Sequence, residues 1–225
     1  MTSSNHSMSE DFIGLLTMLL DLIKNQDWAT FEEIALSNEN MFRLLSNYIS
    51  RCEELNGMTL LHAIVRHNPP NEVLTNMIKL YPKALEAADC LGRMPLHIAA
   101  GSGANTWVMK FLVLAFPQAC NIQDEDGRTP LHLACDSSCE LFEDDEQNPR
   151  GPPDFKVVRT LLKGSPEAVT LEDIDEMNAL EYAIMSDAPI EVVKLLQKAT
   201  QNQAKKRTFN PSAVSPTNVM ERISA

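Results

Sequence analysis

Residues 124–135 read Asp-Glu-Asp-Gly-Arg-Thr-Pro-Leu-His-Leu-Ala-Cys, and versions of this stretch occur elsewhere in the 225-residue chain. Residues 89–100, which lie 35 positions earlier, read Asp-Cys-Leu-Gly-Arg-Met-Pro-Leu-His-Ile-Ala-Ala. A shorter copy, Gly-Met-Thr-Leu-Leu-His, occupies residues 57–62, another 35 positions earlier. Repeats of this length are the signature of stacked helix pairs, so the sequence predicts an all-α repeat solenoid.

The repeated stretch has the chemistry of a tight turn followed by a helix. Aspartate followed three residues later by glycine favours a turn, because glycine accepts a positive φ at no steric cost. Thr129 stands where the helix should begin, and Pro130 takes its first position, where the missing N–H costs nothing. The imidazole of His132 can reach back to the helix start, as glutamate does in a capping box.

A fourth, degenerate copy follows at residues 173–183. There Asn178 takes the place of the threonine and Glu181 that of the histidine, and Asn-x-x-Glu is itself a capping box. In the second copy Met94 replaces the hydroxyl residue, which predicts a cap weaker by about 0.5–2 kcal/mol. We therefore expect the same helix start in every copy, with the weakest one in the second.

A second marker, Pro-x-Ala preceded by an aromatic residue or serine, lies at residues 81–85, 116–120 and 165–169. The first two prolines are 35 residues apart and the last two are 49 apart. The positions of His97, His132 and Glu181 show the same two spacings. Both markers therefore report a single insertion of 14 residues in the third copy.

Together these residues resemble ankyrin repeats, in which Thr-Pro-Leu-His-x-Ala after a glycine turn is followed by a second helix and a loop. The resemblance covers residues 55–199 and implies an all-α, ankyrin-type helical repeat solenoid of about four repeats. The long repeats and the aromatic-Pro-x-Ala ending depart from the usual Gly-Ala loop of that family.

Residues 9–54 carry no repeat marker, and we predict that they form a helical N-terminal cap. A helix is expected over residues 12–24, with Ser9 as its N-cap, and it is apolar nearly all round, so it must be covered. Further helices are expected over residues 28–36 and 41–52. Sealing the end of a solenoid is the expected role of this segment, and a partner-binding or dimerising face is the alternative.

Three polar stretches lie outside the regular pattern. Residues 1–8 are expected to be disordered, and residues 200–225 a flexible basic tail. The run at 205–207 is a weak nuclear-import signal or part of a solvated tail. The insertion, residues 136–153, is acidic and proline-rich, so it should project from one side. By resemblance it would flank the binding groove, and a surface insertion without a partner is the alternative.

Charge and cysteine content limit the classes of function. A formal net charge of −12 argues against direct nucleic-acid binding and predicts a monomer that attracts basic surfaces. Five cysteines without framework spacing predict reduced thiols in the cytoplasm or nucleus. No stretch is long enough to span a bilayer, and residues 12–23 are short, contain Asp21 and follow acidic residues, unlike a signal peptide.

The chemistry-bearing residues favour structural roles. His62, His97 and His132 occur once per repeat, too far apart to share a zinc ion with bonds of about 2 Å. His132 with Cys135 and Cys139 is a closer group, but the paired Cys-x-x-Cys spacing of a zinc site is missing. No calcium loop, phosphate loop or nucleophile elbow is found in the sequence. We therefore expect no catalytic residues, no cofactor and no metal.

The resemblance implies that partner contacts lie at the hairpin tips and along the inner helices. The matching positions are Leu55, Asn56, Met58, Arg66, His67, Leu91, Arg93, Glu125, Asp126, Arg128, Asp136, Asp175 and Met177, with Cys90, Ser102, Ile174 and Met185 as further positions. The first half of this set is apolar with two arginines, and the second half is acidic. The alternative for any single tip residue is that it is merely solvated.

These features favour a non-enzymatic module that binds a protein or peptide along the concave groove. The partner would carry an apolar anchor near the first two copies and a basic patch near the last two. A regulatory or inhibitory subunit that controls a partner enzyme is the alternative. Catalysis by the chain itself is disfavoured, because solenoid grooves are broad and shallow and active sites are enclosed.

Overall fold

The computed structural model describes residues 3–37, 39, 57–142 and 150–209, and within them ten α-helices and no strands. The helices are α1 (Ser3–Lys24), α2 (Trp28–Ser37), α3 (Leu60–Arg66), α4 (Asn71–Leu80), α5 (Pro95–Gly101), α6 (Thr106–Ala115), α7 (Pro130–Cys135), α8 (Phe155–Gly164), α9 (Ala179–Met185) and α10 (Ile190–Phe209). The predicted helix over 41–52 and residues 143–149 of the insertion lie outside the described residues.

From α3 onward the helices form four pairs that stack in register. The short inner helices α3, α5, α7 and α9 pack each on the next, and the outer helices α6, α8 and α10 do the same. One apolar cluster extends through this stack from Leu61 to Leu196. The predicted all-α repeat solenoid is therefore confirmed.

The inner helices begin as the repeated motif predicts. The backbone N–H of Thr129 donates to Nδ1 of His132 at 3.0 Å, and the Thr129 hydroxyl approaches the same nitrogen at 2.8 Å. In the fourth pair the Asn178 N–H donates to Glu181 Oε2 at 2.8 Å, and Asn178 Oδ1 accepts from the Leu180 and Glu181 N–H groups. The capping box thus survives the change of residues.

Each repeat histidine also connects its repeat to the next one. Nε2 of His62, His97 and His132 donates to the carbonyls of Arg93, Ile122 and Leu171, at 2.9, 3.1 and 3.1 Å. All three imidazoles are fully buried. Burial lowers the pKa of His62 and His97 to about 4 and that of His132 in the same direction, so the rings are neutral. The predicted structural role of these histidines is confirmed.

The Pro-x-Ala marker corresponds to a short 3₁₀ helix after the outer helix of each of the first three pairs. These helices are Pro82–Glu86, Pro117–Asn121 and Pro166–Thr170, and each has the marker proline at its first position. The marker alanines, Ala84, Ala119 and Ala168, are buried. A small residue is needed there because the 3₁₀ helix lies against the neighbouring helices.

The first two helices cover the open side of the first repeat. Leu19, Ile23 and Phe31 pack with Leu60 and Ile64 in a second apolar cluster. The helix α1 begins at Ser3, which corrects the expectation of disorder up to residue 8 and of an N-cap at Ser9. No proline or glycine occurs between Ser3 and Phe12, so nothing in the sequence stops the helix there.

The last helix extends past the predicted end of the repeats. We expected the repeat region to end at Ala199, with a flexible tail from residue 200, but α10 continues to Phe209. No proline or glycine lies between Ile190 and Phe209, and Gln203 is buried, so the helix has both the propensity and a contact to continue. Residues 210–225 lie outside the described part of the chain.

Candidate binding groove

Hairpin turns precede the inner helices of the second, third and fourth repeats, and each of these turns is organised by its first aspartate. Asp124 Oδ1 accepts the N–H groups of Asp126 and Arg128, and Asp173 Oδ1 accepts those of Asp175 and Met177. Asp89 does the same in the second repeat, accepting from the Leu91 and Arg93 N–H groups. The turns therefore have one shape, which lets them stack.

Neighbouring hairpins are bonded through their backbones. The N–H of Glu125 donates to the Leu91 carbonyl at 2.9 Å, and the N–H of Ile174 donates to the Asp126 carbonyl at 3.0 Å. At Gly127, φ is 74° and an added Cβ would lie 2.9 Å from Cα of Asp173. Both the positive φ and the lack of space for a side chain therefore require glycine at this position. The stacked hairpins and the inner helices together form one continuous side of the solenoid, which we call the groove.

The predicted contact residues of the first two repeats are partly buried and partly basic. Met58, Arg66 and His67 are half-buried, and Leu91 is 43% exposed at its hairpin tip. The guanidinium of Arg93 donates from Nε to Asp89 Oδ2 at 2.7 Å, so its position is fixed. Leu55 and Asn56, also predicted as contacts, lie outside the described residues.

The predicted contacts of the last two repeats separate into exposed and internally bonded residues. Glu125, Asp126 and Asp175 are exposed on adjacent hairpin tips. Asp136 is buried, accepts from the Ser138 N–H and hydroxyl, and lies 3.8 Å from the guanidinium of Arg128. Its carboxylate is therefore engaged within the chain, and Met177 is half-buried against the core.

A polar contact at the fourth repeat was not anticipated from the sequence. The Tyr182 hydroxyl donates to Asp173 Oδ2 at 2.6 Å, and the Arg128 guanidinium lies 5.6 Å from the centre of the Tyr182 ring. Burial and this hydrogen bond raise the pKa of Tyr182 to about 12. Tyr182 follows the capping residue Glu181, a place where the other copies have aliphatic residues, so no repeated signal marked it.

The beginning of the insertion turns back over the groove. We expected the insertion to project from one side, but Phe142 lies under the guanidinium of Arg66, 4.0 Å from Cζ to the ring centre. The Leu141 side chain occupies the space that a Cβ at Gly101 would need. The expectation that the insertion projects is therefore wrong for Leu141 and Phe142. Their apolar side chains pack against the groove instead, at Gly101 and at the guanidinium of Arg66. Residues 143–149 lie outside the described part.

Large apolar side chains remain exposed on the fourth repeat. Ile174 is 68% exposed at the hairpin tip, and Met185 is 72% exposed at the end of α9. Ile184 in α9 and Ile190 at the start of α10 are 55% and 63% exposed. Of these residues, Ile174 lies at the acidic tips, since its N–H donates to the Asp126 carbonyl.

The described residues contain neither a metal site nor a reactive thiolate among Cys120 and Cys135. Among these residues, no group of three or more His, Cys, Asp or Glu is placed to hold a metal ion. The four cysteines described there form no disulfide with one another, and burial raises the pKa of the Cys120 and Cys135 thiols to about 12, so neither is a reactive thiolate. No helix in the described ranges is long and apolar enough to cross a membrane.

Helix pairs stacked in register beside a row of hairpins define a helical repeat solenoid. Residues 77–134 match the family described as ankyrin repeats (many copies), and residues 126–171 match the ankyrin repeat. The chain therefore contains ankyrin repeats over residues 77–171. Comparison with curated proteins gives no match. Ankyrin repeats are protein–protein interaction modules and are generally non-enzymatic.

Proposed function

We propose that the chain binds a protein or peptide partner along the groove, with a basic patch of the partner against the third and fourth repeats. The observation that carries this proposal is the row of exposed carboxylates Glu125, Asp126 and Asp175 on two bonded hairpin tips. Side chains held on neighbouring tips present a fixed pattern of negative charge, which steers and orients a basic surface.

The apolar surface beside these carboxylates supplies the second component of an interface. Ile174 lies between the acidic tips and Met185 lies at the end of the inner helix, and both are more than two-thirds exposed. Protein interfaces combine an apolar centre with a charged rim, in which the apolar residues supply most of the affinity and the charges supply specificity. A basic segment that carries an apolar side chain therefore fits this half of the groove.

The test is a capture experiment with the full chain and a charge-reversed variant. In the groove variant Glu125, Asp126 and Asp175 are each replaced by lysine. We expect its partners to be lost, with an affinity at least about tenfold lower, or about 1.4 kcal/mol. Raising the salt concentration should weaken binding of the unaltered chain in the same way, because exposed charges are screened.

The matched control reverses three exposed glutamates outside the groove. Glu72 and Glu191 lie on the outer helices α4 and α10, and Glu86 ends a 3₁₀ helix. Replacing all three with lysine makes the same change in net charge, and the captured partners should be retained. Identical partners for both variants, at low and high salt alike, would contradict the proposed role of the acidic tips.

A further inference from the structure

Leu141 and Phe142 of the insertion lie in the groove, against residues of the first two repeats. Two arginines lie close to the ring of Phe142, with Cζ of Arg66 4.0 Å and Cζ of Arg93 5.9 Å from the ring centre. A guanidinium within about 6 Å of a ring centre attracts the ring electrostatically. Because Arg93 is fixed by its bond to Asp89, one wall of this site is preorganised.

The alignment of the repeats explains why Leu141 fits beside Phe142. Arg66, Gly101 and Asp136 occupy the same position in the first three copies, 35 residues apart. Gly101 is the small member of this set, and an added Cβ there would overlap the Leu141 side chain. The second repeat therefore has room for a leucine next to the place where the first repeat receives an aromatic ring.

The ring of Phe142 closes one end of a cleft between the N-terminal helices and the first repeat. The cleft has a volume of about 220 Å³, and besides Phe142 it is lined by Leu20, Ile23, Lys24, Met58, Ala63, Arg66 and His67. Its walls are apolar, and Lys24 and Arg66 add positive charge in a chain whose formal net charge is −12. The cleft thus combines apolar contact with local positive charge, unlike the acidic tips of the later repeats.

The sequence around Phe142 is complementary in chemistry to the cleft. Glu140 precedes Leu141 and Phe142, and the sequence continues Glu-Asp-Asp-Glu. A leucine–aromatic pair with acidic neighbours matches a cleft that has apolar walls and cationic side chains. A leucine–aromatic pair with acidic neighbours is therefore the kind of ligand that fits this part of the groove, and the chain carries one such pair in its own insertion.

We propose that the Arg66 end of this cleft, where Phe142 lies in the free chain, is a binding site for an aromatic side chain in an acidic segment of a partner. The proposal rests on the proposed function, since it assigns the apolar anchor of the same groove. The aromatic ring of a partner takes the place against Arg66 by displacing Phe142, and Leu141 beside it. The insertion is thus an internal competitor, and removal of its two apolar side chains opens the site.

The experiment measures binding of a fluorescent peptide that copies residues 137–146, with Cys139 replaced by serine. The receptors are the full chain and its Leu141→Ala/Phe142→Ala variant. We expect the variant to bind the peptide at least about tenfold more tightly than the unaltered chain, because the internal competitor is gone. Adding Arg66→Ala to the variant should abolish the gain, and a peptide with alanine for phenylalanine should not bind.

A matched control separates release of the site from a general effect of removing apolar surface. Leu114 is 82% exposed on α6, away from the cleft, and Leu114→Ala should leave peptide binding at the level of the unaltered chain. Equal binding by the unaltered chain and the double variant, or binding by neither, would overturn the proposal.

A second measurement applies even if the double variant does not fold. In the full chain, Arg66→Ala should accelerate amide hydrogen exchange at Leu141 and Phe142, with exchange in the distant helix α8 unchanged. Unchanged exchange at Leu141 and Phe142 would also overturn the proposal. Both experiments concern the first two repeats, so their failure leaves the charge-reversal test of the third and fourth repeats unaffected.

Discussion

At the scale of single residues, the turn of the fourth repeat departs from the pattern of the others. Glu176 occupies the place of the hairpin glycine and has φ of 59°, whereas Gly92 and Gly127 have φ of 71° and 74°. A residue with a Cβ is strained in this left-handed region by roughly 1–2 kcal/mol. The fourth hairpin therefore holds the expected shape at a cost in stability.

We predict that Glu176→Gly stabilises the folded chain. Relief of the left-handed strain exceeds the entropy lost by fixing a glycine, so the gain should be a few tenths to about 1 kcal/mol. Urea unfolding of the variant beside the unaltered chain measures this difference. A loss of stability would show that the Glu176 side chain makes a contact worth more than the strain.

The corresponding change in the third hairpin should have the opposite sign. Gly127→Ala introduces the same strain, and its Cβ would lie 2.9 Å from Cα of Asp173 in the next hairpin. We expect it to cost more than about 1 kcal/mol, because backbone on the facing side cannot move away cheaply.

Sequence reasoning succeeded at residues where local chemistry decides the structure. The helix start at Asn178 was predicted because the capping box depends on two residues three positions apart. The contact of Phe142 with Arg66 was missed, because the two residues are far apart in the chain and neither belongs to a repeated pattern. The exposure of Asp126 and the burial of Asp136 likewise depend on neighbouring repeats, which the sequence of one repeat does not contain.

At the scale of helices, packing between the outer helices is close enough to require glycine at one point. Gly164 ends α8, and an added Cβ would lie 2.5 Å from Sγ of Cys120 and 2.8 Å from Cγ1 of Val113. Cys120 is buried, and Val113 lies on α6, which packs against α8. A methyl group at position 164 therefore has no space between these elements.

We predict that Gly164→Ala destabilises the chain although alanine favours helices. Overpacking costs about 1–3 kcal/mol, and the gain in helix propensity is at most about 1 kcal/mol, so a net loss of about 1 kcal/mol is expected. The free energy of unfolding in urea measures it. An increase in stability would mean that α6 and α8 pack less closely than the structure shows.

The control is Gly14→Ala in α1. No atom lies within 4 Å of a Cβ added there, and residue 14 is exposed. Only the helix propensity changes, so this substitution should stabilise the chain by about 0.5–1 kcal/mol.

At this scale the sequence predicted where helices begin better than where they end. The outer helix of the fourth repeat was expected to stop near Ala199 because the repeat pattern ends there, yet α10 continues to Phe209. Where the hydrophobic pattern ends, the helix loses apolar packing, but its backbone hydrogen bonds can continue. A proline or glycine would have marked the end, and the sequence has neither at that point.

At the scale of the whole molecule, buried histidines connect the repeats. His62, His97 and His132 each use one ring nitrogen at the start of their own helix and the other on a carbonyl of the next repeat. The fourth repeat has Glu181 at this position, and no described repeat follows it. The histidine is thus present wherever there is a next repeat to contact in the described stack.

We predict that stability falls as the pH falls below about 6.5. The unfolded chain binds a proton on each histidine near its ordinary pKa of 6.5, whereas His62 and His97 take it up near 4 in the folded chain. Because the folded pKa is the lower one, the contribution is complete above pH 6.5 and is lost as the pH falls to about 4. Each histidine adds at most about 1.4 kcal/mol per pH unit in that window.

The measurement is the free energy of unfolding in urea at several pH values across this window. His97→Gln is the control, since glutamine can also cap the helix but does not titrate. Its stability should depend less on pH than that of the unaltered chain, and an equal dependence would show that His97 is not the titrating group.

The central claim, that the repeats are stacked layers joined by neutral histidines, is tested most directly by nitrogen NMR of the imidazoles in the full chain. Between about pH 7 and pH 5, we expect His62 and His97 to remain neutral and to keep the proton on Nε2, because burial lowers their pKa and Nε2 donates to the next repeat. Titration of both rings near pH 6.5, with the proton exchanging between Nδ1 and Nε2, would contradict the stacked arrangement.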